Sequence, residues 1–107
     1  MKVINWMKAT YSEDEWECRP LVRCYDGFRI SIQGGTSHHY CLPRKLCNEY
    51  QEIELGFPTE LDNLIAEYAE EPDTLSTVFG HGPIAIVELL IEKHGGIDYE
   101  KSIQEVE

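Results

Sequence analysis

The stretch Pro20-Leu21-Val22-Arg23-Cys24-Tyr25-Asp26-Gly27-Phe28-Arg29-Ile30-Ser31-Ile32-Gln33 decides how the chain folds. Two strand-like runs flank Asp26-Gly27, a dipeptide that favours the two-residue type I′ turn because both central residues need positive φ. The reading is a β-hairpin with strands at Pro20 to Cys24 and Phe28 to Gln33. In that register Tyr25 faces Phe28, Arg23 faces Ile30 and Leu21 faces Ile32, all on one face of the hairpin. Cys24 and Val22 fall on the other face, beside Arg29 and Ser31. Cys24 would then stand away from the main core, whereas a slip of one residue would reverse the assignment.

Working outward, Tyr50 to Leu55 alternates Tyr50, Glu52 and Glu54 against Gln51, Ile53 and Leu55, a period of two that predicts a further strand with one buried face. Gly56-Phe57-Pro58 ends it. From Thr59 or Glu60 onward, Leu61, Leu64, Ile65 and Tyr68 form a helical stripe, stopped at Glu70-Glu71-Pro72-Asp73. Thr77 to Phe79 reads as a short edge strand and Gly80-His81-Gly82 as a turn. Pro83 to Lys93 predicts the central core helix, with Ile84, Ile86, Val87, Leu89, Leu90 and Ile91 inward and Ala85, Glu88 and Glu92 outward. Lys93 and His94 suit its C-terminal dipole and Gly95-Gly96 its cap. Lys2 to Ala9 reads as a short amphipathic helix carrying Val3, Trp6 and Met7, and Ile97 to Glu107 as an acidic tail with a frayed helix. The sum is a single α+β domain over residues 1–107: a small antiparallel sheet, the hairpin plus a further strand, packed by two main helices.

Composition narrows the function. Twenty acidic residues against nine basic ones give a net charge of −11, which repels nucleic acid and acidic membranes and favours basic protein surfaces. Residues Met1 to Trp6 lack the apolar region of a signal peptide, and no apolar run approaches the ~20 residues of a membrane span. The expected compartment is the cytosol, where four cysteines are reduced or metal-bound rather than paired. The basic residues Arg19, Arg23, Arg29, Arg44 and Lys45 gather in the hairpin region, so the molecule is expected to be polar in charge.

All four cysteines and two of the four histidines fall between Cys18 and Cys47. Cys18 and Cys24, and Cys41 and Cys47, form two equally spaced pairs that a hairpin can bring together around a tetrahedral zinc. The candidate ligands are Cys18, Cys24, Cys41, Cys47 and His39, with His38 as an alternative to His39. Such a zinc would be structural, since no His-Glu-x-x-His general-base pattern accompanies it. A disulfide arrangement, Cys18 with Cys47 and Cys24 with Cys41, and a Cys41–His39 nucleophile are the competing readings of the same residues. Neither Gln33-Gly34-Gly35-Thr36 nor Phe79-Gly80-His81-Gly82 has the Lys-Ser/Thr of a phosphate-binding loop.

Arg19-Pro20, Cys24-x-Asp26-Gly27-Phe28, Ser31-x-Gln33, Tyr40-Cys41-x-Pro43-Arg44, Glu54-x-Gly56-Phe57-Pro58, Pro83-Ile84-x-Ile86-Val87 and Lys93-His94-Gly95-Gly96-Ile97 together resemble small acidic proteins of Firmicutes phages and prophages. The resemblance spans nearly the whole chain. Some proteins of this origin are anti-CRISPR inhibitors of type II-A Cas9, so the resemblance implies a non-enzymatic Cas9 inhibitor acting in the bacterial host cytosol. Cas9 holds guide and target in basic channels, and an acidic domain steered into them would block target-DNA loading. The contact surface would be Glu67, Glu70, Glu71 and Asp73, or the acids from Glu13 to Glu17. The alternative is a phage or host regulatory module that binds another basic protein and contains a structural zinc; a metal-dependent hydrolase ranks third.

Overall fold

The structure is a computed structural model and describes residues 1–14, 17–36, 40–71 and 77–104. Its elements are helix α1 (Val3–Ala9), strands β1 (Val22–Arg23), β2 (Arg29–Gln33), β3 (Glu52–Gly56) and β4 (Val78–Pro83), then helices α2 (Ile84–Lys93) and α3 (Tyr99–Ile103). The strands form one antiparallel sheet in the order β1-β2-β3-β4, and the α+β class predicted from the sequence is the one observed. No helix among the described residues is long and apolar enough to cross a membrane.

The hairpin forms, but in the slipped register. Val22 pairs with Ile30 and Arg23 with Arg29, and the Cys24 N–H donates to Phe28 O at 2.8 Å. The loop therefore holds three residues, Tyr25, Asp26 and Gly27. Only Gly27 takes positive φ, at 98°, and its N–H closes the turn on Cys24 O. A type I′ turn would need positive φ at Asp26 as well. Asp26 instead uses its Oδ1 to accept from the Phe28 N–H at 2.9 Å, an Asx turn that holds the longer loop. The consequence is that Val22 and Cys24, not Leu21 and Arg23, join Phe28, Ile30 and Ile32 in the core. Cys24 is 2% exposed, which corrects the expectation that it stands apart.

The core lies on one side of the sheet. Val3, Trp6 and Met7 of α1 and Val87, Leu90 and Ile91 of α2 close over Val22, Ile30, Ile32, Ile53, Leu55 and Phe79. The helix from Ile84 ends as predicted: Gly95 and Gly96 both take positive φ, and the Gly96 N–H reaches back to Ile91 O at 2.9 Å. Its burial is narrower than its apolar run, for Leu89 is 51% exposed.

Two further expectations are corrected. The helix predicted from Thr59 or Glu60 is reduced to a single 3-10 turn, Ala66–Tyr68. Asp62 Oδ1 accepts from the Leu64 N–H at 2.9 Å, and such local side-chain bonds compete with the helical ladder. Gly80-His81-Gly82 lies within β4 rather than in a turn, with a register shift opposite it between Ile53 and Leu55 and His81 at φ 55°.

Both sheet edges are covered. Along β1, Cys24 bridges to Ile97 and the Asp98 N–H donates to Arg23 O. Along β4, Ala69 bridges to Phe79 and the Glu70 N–H donates to Val78 O. Covered edges remove the unpaired backbone through which sheets aggregate.

Candidate functional site

Among the described cysteines, Cys24 is set apart from Cys41. Cys24 sits at the turn end of the first hairpin, whereas Cys41 packs beyond its open end, where the Gly35 N–H donates to its Sγ at 3.4 Å. Gly35 lies seven positions beyond Phe28, on the order of 20 Å of extended chain at ~3.3 Å per residue. A zinc ion holds its thiolates at about 2.3 Å, so one ion cannot take both. All four cysteines are thiols, which also sets aside the disulfide arrangement. Among the described residues no three His, Cys, Asp or Glu side chains stand close enough to hold a metal; His38 and His39 lie outside them. The donors present do not fit the predicted four-cysteine staple.

Each thiol has a local account. Burial first, and then the charge of Asp26, push the Cys24 thiol up to about 12. Burial also raises Cys41, against the opposing Gly35 N–H, and its Sγ lies 3.4 Å from Pro43 O. The Cys47 thiol donates to Glu49 O at 3.2 Å. Cys18 is exposed on the segment leading into β1.

Arg19, one of the basic residues gathered in the hairpin region, is 8% exposed. Its guanidinium donates to Thr10 Oγ1 at 3.0 Å, Gly34 O at 3.1 Å and Met7 O at 3.1 Å, tying the end of α1 to the end of β2. Burial pulls it below its ordinary value, while the neighbouring Tyr50, Cys47 and Cys41 act in the other direction. Its backbone exchanges two hydrogen bonds with the Gln33 amide, each 2.9 Å.

The acids of the predicted contact surface are placed on the β4 side. Glu67 lies in the 3-10 turn, and Glu70 and Glu71 follow it; all three are exposed, while Asp73 lies outside the described residues. Among the acids from Glu13 to Glu17, Glu13, Asp14 and Glu17 are exposed and Glu15 is outside the described residues. On β3, Glu52 Oε1 lies 2.9 Å from His81 Nδ1, and Glu54 lines a groove on the sheet face opposite the helices.

Sequence reasoning missed one polar cluster altogether. His94, 7% exposed, stacks on Phe28 with ring centroids 4.0 Å apart. Its Nδ1 meets Asp26, its Nε2 lies 3.8 Å from Asp62 Oδ2, and Lys93 Nζ lies 2.8 Å from the same Asp62 oxygen. These groups join the hairpin loop, the end of α2 and the segment after β3. The only trace of them in the sequence was the basic pair at the end of a helix, since their partners are distant along the chain. Compared with protein-family models, with curated proteins and with solved structures, the chain matches none.

Proposed function

We propose that this chain is a non-catalytic, acidic, phage-encoded inhibitor that binds a basic nucleic-acid-handling protein, Cas9 foremost, and blocks target-DNA loading. The observation that supports it is how the charges are used. Among the described acids only Asp62 is buried and most of the others are exposed, in a chain of charge −11. Arg19 is meanwhile engaged internally by α1 and Gly34, and two exposed lysines are paired with acids, Lys93 with Asp62 and Lys8 with Glu49 at 3.5 Å. The outward field is therefore strongly negative, the complement of a channel built to hold nucleic acid. The resemblance to phage proteins that include Cas9 inhibitors gives that channel its candidate owner.

The test is a gel shift of guide-loaded type II-A Cas9 on its target DNA, with and without this protein, at low and moderate salt. The expected outcome is loss of the DNA complex, weakening as salt screens the attraction. An unchanged shift across several type II-A orthologues would overturn the inhibitor reading.

A further inference from the structure

Among the described residues no helix or strand lies over the centre of the sheet face opposite the helices, and Tyr40 packs against its Gly80 end. Ser31, Gly56 and Val78 lie in register across β2, β3 and β4, and partners in register present the same face. Together with Leu21, Glu54 and Phe57 they line a groove of about 360 Å³. Gly56 forms its floor, and among the described residues a Cβ there would meet only the Ser31 Cβ, at 3.9 Å. Phe57, a residue 61% exposed, forms a wall on a backbone at φ 53°. Few phenylalanines are found there. The face is also polarised. Arg23 and Arg29 stand together on β1 and β2, whereas the β3–β4 half carries Glu52, Glu54 and the Glu70 carboxylate, which lies over Gly80. Arg19 touches the rim, but its guanidinium is turned to the end of α1.

We propose that this groove is the docking surface for a basic partner protein, taking an arginine or lysine side chain over Gly56, against the Phe57 ring and between Glu54 and Glu70. An aromatic face beside carboxylates suits a guanidinium, which stacks on the ring while its N–H groups reach the acids. A nucleic acid would meet the same carboxylates as repulsion. The proposal deepens the reading of the chain as an acidic inhibitor by naming the surface that binds.

The experiment titrates the isotope-labelled protein with an oligo-arginine peptide and follows amide resonances. Shifts concentrated at Glu54 to Phe57 and Val78 to Gly80 are expected, with binding about tenfold weaker for Phe57→Ala. Phe57→Gly should lose the same binding while melting no lower than the wild type, because glycine accepts the positive φ without strain. Gly56→Val should fill the floor and weaken binding without unfolding the chain. Shifts spread evenly over Glu13, Glu92 and Glu100, with Phe57→Ala binding unchanged, would overturn the proposal. So would a concentration-dependent dimer abolished by Phe57→Ala, which would give the face to a second copy. The Cas9 gel shift separates this surface from the inhibitor reading. Full inhibition by Phe57→Ala would sink the surface and leave the inhibition standing; mapped peptide binding with no effect of any variant on Cas9 would do the reverse.

Discussion

His94 Nδ1 lies 2.7 Å from Asp26 Oδ2, joining residues 68 positions apart and closing the hairpin loop onto the C-terminus of α2. Two backbone bonds run parallel to it, from the Asp26 N–H to His94 O at 3.3 Å and from the Tyr25 N–H to Gly96 O at 3.2 Å. The loop that sets the sheet register is thus held by the helix that covers the sheet.

Acid should loosen this junction. The Phe28 N–H, and then His94, hold the Asp26 carboxyl below its ordinary value. Burial pushes Asp62 up, but the Lys93 hydrogen bond, the Leu64 N–H and the charges of Lys93 and His94 together outweigh it and leave it lowered. Both carboxyls bind a proton less readily in the folded chain than in the unfolded one. Their contribution is therefore complete above about pH 4 and is lost as pH falls through the lower folded values. Thermal melts across that range should show the midpoint dropping below about pH 4, with Asp26→Asn removing part of the drop. An equally steep fall in the variant would refute the role of Asp26.

Glu88 caps a helix from another element. Its Oε1 accepts from the Val3 N–H at 2.8 Å and its Oε2 from the Ile4 N–H at 2.9 Å, satisfying two of the donors that the start of α1 leaves open. No side chain at the Lys2 cap position does so. Glu88→Ala should cost about 1 kcal/mol in urea unfolding, the usual scale of a lost N-cap, and Glu88→Gln less. It should also speed amide exchange in α1 ahead of α2.

How far the sequence could be read depended on whether the deciding partner was local. The hairpin, the strand at Ile53 and Leu55 and the helix ending at Gly95-Gly96 were all legible, because period and turn chemistry are properties of neighbours. The register was not read from Asp26-Gly27, although one cue was present: the two-residue turn would have put Arg23 in the core, and a buried guanidinium is costly without partners. The stripe Leu61, Leu64, Ile65, Tyr68 was read as a helix because its rival, Asp62 held by Lys93 and bonding the Leu64 N–H, depends on a contact 31 residues away. The four cysteines are not gathered at one end of the hairpin, for a related reason. Equal spacing along the chain says nothing about which end of a hairpin each pair reaches.

Cys24 should behave as a core residue rather than as a ligand. With the thiol buried and pushed up to about 12, Cys24→Ser would place a hydroxyl among Val22, Phe28 and Ile97, at a cost of about 1–3 kcal/mol. Cys24→Ala loses only part of a small side chain and should cost about 1 kcal/mol. Native alkylation read by mass spectrometry should modify exposed Cys18 first and the buried Cys24 and Cys41 last. Rapid modification of Cys24 in the folded protein would contradict its burial.

Gly34 is required because Tyr50 cannot move. A Cβ at Gly34 would lie 2.8 Å from Cζ of the Tyr50 ring and 2.9 Å from its Cε1. The ring is fixed at its far end, where the hydroxyl donates to Lys45 O at 2.8 Å and accepts from the Cys47 N–H at 3.2 Å. Its face also lies 6.0 Å from the Arg19 guanidinium. Gly34→Ala should therefore cost about 1–3 kcal/mol, the scale of overpacking in a closed site. Tyr50→Phe removes the anchor but keeps the ring, so the same glycine substitution in that background should cost less than the sum of the two changes. Residues in contact show such non-additivity, and a denaturant double-mutant cycle measures it. Strict additivity would mean that the hydroxyl does not hold the ring, and that the close approach at Gly34 is relieved by some other movement.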